Sequence, residues 1–454
     1  MLSSAPEYYC FLVLVFLAFW SLRRFRLACM VFVCAANLFF YAKWGLIYLL
    51  LIPGAATSDF LIGRLIARRQ SPSIRRSLVS ISILINAGLI LSGRTGSLVL
   101  PLSLSFYAFQ ALTYTIDIYR REAQPSASYL QYLASVSFFP TALAGPITRV
   151  SSLIPQWNWK GAVLTGEEGS RALFLIGLGL AKKFLIADYL GNNLVDRVFD
   201  LPTLYSGGDV LVAVYGYAFQ LYYDFSGYSD IAVGAGLLLG IRLPVNFNAP
   251  YRALDIADFW RRWHISFSSW LRDYLYFSLP GPRTRFMPYV NLIVTMAIGG
   301  LWHGLSWTFL IWGLLHGTGL AGFRLWQRGG KVRVRAESRA LSFLGALLTF
   351  HFVLLTWIFF RAANVETALK ILSQIAAFRF SFGNALFSNT TPAFLFVLLA
   401  GAAAHFIPKS WYDGSIIGFS RTPALIQSAA LALLVLAIQR VASTGAAPFI
   451  YTRF

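Results

Sequence analysis

Residues 290–323, VNLIVTMAIGGLWHGLSWTFLIWGLLHGTGLAGF, run for 34 positions without one charged side chain. A straight helix of that length is ~51 Å long at 1.5 Å per residue, whereas a bilayer's hydrocarbon core is ~30 Å thick. The segment therefore belongs in a membrane and is predicted to bend, with Gly299, Gly300 and Gly304 as the places to do it. Other apolar stretches lie at 8–20, 28–42, 46–62, 77–93, 97–117, 171–187, 210–223, 232–243, 343–360, 392–408 and 423–439. Composition agrees: 57% of the residues are hydrophobic, 16% are aromatic and only 12% are charged, against roughly a quarter charged in soluble domains. Mean hydropathy is +0.63. At ~20 apolar residues per crossing, 454 residues allow on the order of ten membrane helices. Intrinsic disorder and a secreted enzyme are excluded. The expected fold class is an all-α polytopic membrane protein. It is read as a single membrane-embedded domain over 1–454, with N-terminal helices in 1–100 and a core in 101–454.

Lys and Arg number 38 against 18 acids, a formal charge of +20. In a soluble chain that excess points to nucleic acid; in a membrane chain it marks cytoplasmic loops, and no nucleic-acid partner is expected. Residues 8–20 are followed rather than preceded by Arg23, Arg24 and Arg26 and lack a small-residue cleavage site, so the first helix is expected to stay in the membrane. Two crossings later come Arg64, Arg68, Arg69, Arg75 and Arg76, and two further crossings lead to Arg120 and Arg121. These clusters all fall on one side, the cytoplasmic one, which places the N-terminus outside. A further cytoplasmic loop is expected from Arg324 to Arg339, including Lys331, Arg333 and Arg335. Cys10, Cys29 and Cys34 have neither metal-ligand nor CxxC spacing and are read as packing residues.

Nine of the 18 acids lie between Asp188 and Asp273, a window with strongly apolar runs. Ionisable groups at membrane depth are expensive and mark the place to look for chemistry. The run LYYDFSGYSDIAVGAGLLLGIRLPVNFNAPY, 221–251, carries Asp224 and Asp230. The plain reading makes them caps at a helix break near Ser226 and Gly227. Asp255 and Asp258 form a DxxD pair without companions, which is too little for a metal site, and no metal is expected.

In ADFWRRWHISFSSWLRDYLYFSLPG, 257–281, the residues Trp263, Phe267, Trp270 and Tyr274 recur at i, i+4, i+7 and i+11, the signature of an aromatic helix face. Two readings stand side by side. One is a tryptophan-anchored interfacial or partly re-entrant helix. The other is a mouth lined by Arg261, Arg262 and Arg272 for a phosphate-bearing donor, because guanidinium groups bind phosphate bidentately.

His303, flanked by Trp302 and Gly304, sits at the expected break of the long apolar run. A polar ring at membrane depth has to be satisfied or used. Imidazole titrates near neutrality, ~6.5 when unperturbed, and its neutral form accepts a proton. His303 is thus a candidate general base. His316 lies ~20 Å and ~220° of rotation away on an ideal helix, out of reach unless the chain folds back. His351 and His405 read as core residues, and His264 is the better second candidate. No GxSxG elbow, Walker loop or HExxH is present.

These same stretches carry a resemblance. FWRRWHISFSSWLRDYLYFSLPG followed by GGLWHGLSWTFLIWGLLHG resembles the membrane-bound O-acyltransferase (MBOAT) family, in particular its bacterial branch of alginate O-acetyltransferases. PLSLSFYAFQALTYTIDIYR (101–120), FFPTALAGPITR (138–149), GLAKKFLIADYL (179–190), YYDFSGYSDIA (222–232), LPVNFNAPYR (243–252), WIFFRA (357–362) and the closing FIYTRF look like that branch and occur in order. Over the first 100 residues only hydropathy matches. The resemblance implies a ring of about ten to twelve helices around a funnel or tunnel. It also implies a catalytic role for His303, with His264 and His316 matching further family histidines. Members pass an acyl group from a cytoplasmic thioester, acetyl-CoA or another donor, to hydroxyls of an exopolysaccharide such as alginate. A periplasmic acetyltransferase partner and polysaccharide-synthesis machinery take part at the bacterial inner membrane, and no permanently bound cofactor is implied. Asp224, Asp230, Trp302 and Gly304 are expected to support the site. Two rival readings remain: D-alanyl transfer from a carrier protein to teichoic acid, and a transporter of activated precursors, for which internal repeats would speak and none is visible.

Overall fold

The computed structural model describes residues 5–94, 103–143, 145–159, 163–281, 284–328, 339–377 and 388–441. Lys331, Arg333 and Arg335 of the expected basic loop, and the closing FIYTRF run, lie outside the described residues. Every regular element among the described residues is helical. The chain divides into two compact units, Met1–Leu180 with Tyr228–Val245 and Ile416–Ala429, and Ala181–Gly227 with Asn246–Ser415 and Ala430–Phe454.

In the first unit α1 (Pro6–Leu22), α2 (Arg26–Ala42), α3 (Tyr48–Arg68), α4 (Pro72–Arg94) and α5 (Ser103–Arg120) pack in succession. Short connections between apolar helices favour such antiparallel neighbours. Their polar residues turn inward and pair. Asp59 accepts from Ser82 Oγ at 2.7 Å and Asn86 Nδ2 at 2.9 Å, all three side chains being buried. Asn37 donates from Nδ2 to Ala134 O at 3.2 Å and accepts the Phe139 amide at 3.1 Å. Arg75, one of the basic residues assigned to a cytoplasmic loop, is buried and donates to Ile66 O at 2.8 Å and Tyr119 O at 2.6 Å. It thus closes carbonyls at the ends of α3 and α5, where a cation also favours the helix dipoles. Cys29 and Cys34 are buried as expected, but Cys10 is exposed.

The helix α6 (Gly166–Ala181) continues into π-helical turns at Lys182–Asp188 and Gly191–Val195. The next, α7 (Gly207–Leu238), runs for 32 residues through the Ser226–Gly227 position without breaking. Asp224 is therefore no cap. It lies mid-helix, buried, with Lys183 Nζ at 2.6 Å from its carboxylate and at 2.7 Å from that of Asp188. Such ion pairing is how a membrane interior tolerates a carboxylate. Asp230 follows on the same helix, within the first unit. At the start of α7, Asp209 accepts from Ser206 Oγ at 2.9 Å, Thr390 Oγ1 at 2.7 Å and the Asn389 amide at 3.2 Å. Burial pushes its carboxyl up, but these hydrogen bonds outweigh it and hold the group below the usual carboxylate range.

The second unit continues with α8 (Ile256–Arg262), α9 (Ile265–Trp270), α10 (Met287–His303), α11 (Trp307–Arg328), α12 (Arg339–Arg361), α13 (Val365–Ala376) and α14 (Pro392–His405), after which come α15 (Lys409–Arg421) and α16 (Ala424–Val441), whose stretch Ile416–Ala429 belongs to the first unit. Residues 257–281 do not form the continuous helix expected. The chain is extended at Trp263, enters the left-handed region at His264 with φ 41°, and resumes as α9. Trp263 and Phe267 are buried in protein rather than displayed on one interfacial face.

Four helices among the described residues are long and apolar enough to cross a membrane: Tyr48–Arg68, Pro72–Ser92, Arg339–Arg361 and Ala424–Val441. Pro392–His405 and Lys409–Arg421, bent by 94° at their junction, pass the same test together, as one broken span or a re-entrant loop. The protein is a multi-pass membrane protein. Fewer single helices qualify than the hydropathy runs promised because several are short, such as the 17-residue α1, α2 and α10, and others are bent. Bent backbone survives at membrane depth only where protein surrounds it.

Candidate active site

The break in the long apolar run falls at Gly304, one residue after His303 ends α10, and not at Gly299 or Gly300. From Trp307 the chain folds back along α10 as α11. Two glycines make the hairpin tight: a Cβ on Gly300 would collide with Phe309 O, and one on Gly313 with Met296 O. Gly304 has its own reason, since a Cβ there would lie 2.5 Å from the Phe309 ring.

Folding back answers how His303 and His316 relate. Both rings lie against Trp312, with centroids 5.2 Å and 4.9 Å from it. On the other side of His303 the Phe267 ring lies 5.9 Å away, and His264 stacks on Phe267 at 5.0 Å. Three histidines from three segments thus alternate with two aromatic rings. Trp302 at 4.6 Å and Phe360 at 4.9 Å complete the wall around His303, whose residue surface is 4% exposed.

The hydrogen bonds assign each outer histidine a different tautomer. At His316 the Trp260 indole N–H donates to Nδ1 at 3.3 Å, and Nε2 lies 2.9 Å from Thr356 Oγ1. An indole has no acceptor, so Nδ1 bears a lone pair and the proton sits on Nε2. The Thr356 hydroxyl donates to Val353 O at 2.8 Å, which leaves its oxygen to accept from Nε2. Both nitrogens of His316 are spoken for, a holding role rather than a basic one. At His264, Nδ1 is 3.1 Å from Asn246 Oδ1, an atom that also accepts the Ser266 amide at 3.2 Å. An amide oxygen cannot donate, so Nδ1 carries the proton and Nε2 the lone pair. The left-handed backbone of His264 costs about 1–2 kcal/mol for a non-glycine residue, an expense that the surrounding contacts hold in place.

The other predicted residues spread out. Arg262 Nε bonds Asp258 at 2.9 Å, Arg261 reaches Asp258 at 3.4 Å, and Arg272 bonds its neighbour Asp273 at 2.7 Å. Arg261 and Arg272 are the exposed members of the three, with 60% and 61% of their side-chain surface accessible. Asp255 caps α8 by accepting the Asp258 amide at 2.6 Å. His405 is buried and accepts the Tyr251 amide at 3.1 Å, as a core residue does. His351 is a correction: it is exposed on α12, bonded to Tyr215 Oη at 2.7 Å. Among the described residues, no three His, Cys, Asp or Glu side chains gather as a metal site. Asn246, Trp260 and Thr356 carried no role in the sequence. The only sign of Asn246 was its place in the LPVNFNAPYR run.

Residues 119–369, more than half of the chain, match the model of the membrane-bound O-acyltransferase family. The chain belongs to that family. All three histidines, the three arginines, Asp224, Asp230, Trp302 and Gly304 fall inside the matched region. This MBOAT chain is similar to the peptidoglycan O-acetyltransferase of Helicobacter pylori, 36% identical over 420 residues that cover 82% of the chain and 79% of that protein. To the probable alginate O-acetylase of Azotobacter vinelandii it is 42% identical over 299 residues, 65% of the chain but only 57% of the relative's length. The teichoic acid D-alanyltransferase of Streptococcus thermophilus is 30% identical over 297 residues, 59% and 69% of the two chains. The MBOAT chain is thus an acyltransferase enzyme.

Proposed function

We propose that this MBOAT enzyme transfers an acetyl group from a cytoplasmic thioester, acetyl-CoA, across the bacterial inner membrane toward hydroxyls of an extracytoplasmic polysaccharide, alginate or a related polymer, with a periplasmic acetyltransferase partner completing delivery. The observation that carries the reading is His303: a buried imidazole at the point where a charge-free membrane hairpin breaks, walled by Phe267, Trp302, Trp312 and Phe360. Support for acetyl over D-alanyl comes from the named O-acetylating relatives at 36% and 42% identity against 30% for the D-alanyltransferase.

In the proposed reaction His303 takes the proton of an acceptor hydroxyl as its oxygen attacks the thioester carbonyl. The carbon–sulfur bond then breaks, the thiolate leaves and regains the proton from His303, and an ester and free CoA result. Positioned proton transfer of this kind is worth typically 10²–10⁴-fold, and holding donor and acceptor in line supplies more. Arg261, Arg262 and Arg272 are assigned to the donor's phosphates, His264 to substrate orientation and His316 to holding the wall. Asp224 and Asp230 support the architecture.

The test uses isolated membranes, radiolabelled acetyl-CoA and the neighbouring periplasmic proteins, comparing wild type with His303→Ala. Label is expected in a partner protein or polymer with wild type, and a loss of at least 10²-fold in the variant at equal membrane content. Undiminished transfer by His303→Ala would remove the base assignment. No transfer by well-folded wild type with acceptors present would move the donor to a carrier protein.

A further inference from the structure

We propose that Asn246 is the positioning residue of His264. Its amide oxygen holds the imidazole as the Nδ1–H tautomer, so that His264 meets N–H or O–H groups of the bound substrates as a hydrogen-bond acceptor through Nε2. The proposal rests on the reading of His264 as part of the acyl-transfer site.

The backbone amide of Ser266 has only a proton to offer, so the atom of Asn246 that it meets at 3.2 Å is the oxygen. The Ser266 hydroxyl donates to the same oxygen at 2.9 Å, and His264 Nδ1 lies 3.1 Å from it. With two donors already fixing which end of the amide points here, the ring has one arrangement that makes a bond rather than a repulsion, with the proton on Nδ1. Asn246, His264 and Ser266 are all buried, at 2%, 1% and 9% exposure, so water does not compete for these bonds.

The main chain makes the arrangement rigid. Asn246 O takes the Ile265 amide at 2.9 Å, and the Asn248 amide donates to Arg262 O at 2.9 Å, so residues 246–248 clasp the chain on both sides of His264. Phe225 lies edge-on to the imidazole at 4.5 Å and Phe267 stacks on it at 5.0 Å, which fixes the ring plane. His316 shows the contrast, with the opposite tautomer fixed by Trp260 and Thr356. A neutral His264 has no proton on Nε2 with which to polarise the thioester carbonyl. Its contribution is a lone pair that aligns a substrate N–H or O–H beside His303.

The experiment labels the protein with ¹⁵N-histidine, purifies the full chain in detergent, and reads the two ring nitrogens of His264 by NMR, its signals identified by their loss in His264→Gln. The expected wild-type spectrum shows a protonated Nδ1 and an unprotonated Nε2. A proton on Nε2 overturns the proposal, and this readout stands even if acetyl-CoA is not the donor. Acetyl transfer is then measured for Asn246→Ala and Asn246→Asp. Asn246→Ala is expected to release the tautomer and lower kcat by about 10²-fold, the scale of loss when a reacting group is misplaced by about 1 Å, with KM held. Asn246→Asp, which offers an acceptor oxygen in the same place, is expected to keep the tautomer and recover most of kcat. An Asn246→Ala enzyme with wild-type kcat, or an Asn246→Asp enzyme no better than Asn246→Ala, overturns the positioning role. Should Asn246→Ala fail to fold, the wild-type spectrum and Asn246→Asp still decide it.

Discussion

His316 shares the membrane hairpin with His303, and what faces its two nitrogens fixes its tautomer. Trp260 and Thr356 occupy both nitrogens of His316. Replacing Thr356 with Val keeps the shape but leaves a buried N–H without its acceptor, at a cost of about 1–3 kcal/mol. A lower melting temperature of the purified protein is expected, with residual transfer in the fraction that stays folded; an unchanged melting temperature would contradict the tautomer assigned here. At this scale the sequence was legible only in part. His303 stood out because it sits beside Gly304, at the expected break of a run without charged side chains. Asn246 and Thr356 did not, because their partners are 18 and 40 residues away along the chain and ordinary Asn and Thr carry no pattern of their own.

Among elements, the hairpin of α10 and α11 owes its closeness to missing side chains. Gly300→Ala or Gly313→Ala forces backbone apart, an overpacking cost of about 1–3 kcal/mol. Transfer activity is expected to fall more than stability, because the separation of His303 from Trp312 depends on the helix spacing. Gly322→Ala on the same α11, where a Cβ meets nothing within 4 Å, is the matched control and is expected to change neither. Equal effects at all three positions, by thermal melting and transfer assay, would dismiss the close-approach account. The same scale explains why residues 257–281 misled. The aromatic spacing had a helical period, but the Ile265 amide bonds to Asn246 O instead of a carbonyl one helical turn earlier, and a tertiary partner that satisfies the backbone equally well removes the preference for continuing the helix. Asp224 misled in the opposite direction. Gly227 beside it resembled a break, yet α7 continues because Lys183 neutralises the carboxylate where it lies.

Across the whole molecule, the arginine clusters set the expected orientation. Single cysteines at Arg24 and Gln70 in a cysteine-free background are expected to react with a membrane-impermeant thiol reagent from the cytoplasmic side, and one at Leu46, 77% exposed between α2 and α3, from outside. Labelling of positions 24 and 46 from the same face would overturn the orientation. What the sequence determined alone was the solvent, the helical class and the family, because each follows from composition, local period or a contiguous motif. What the tertiary structure decided was where helices break, which charges pair and which tautomer each histidine adopts. Those outcomes are set by hydrogen-bond and ion-pair partners distant in sequence, and in a membrane interior such partners are the alternative to leaving polar groups unsatisfied.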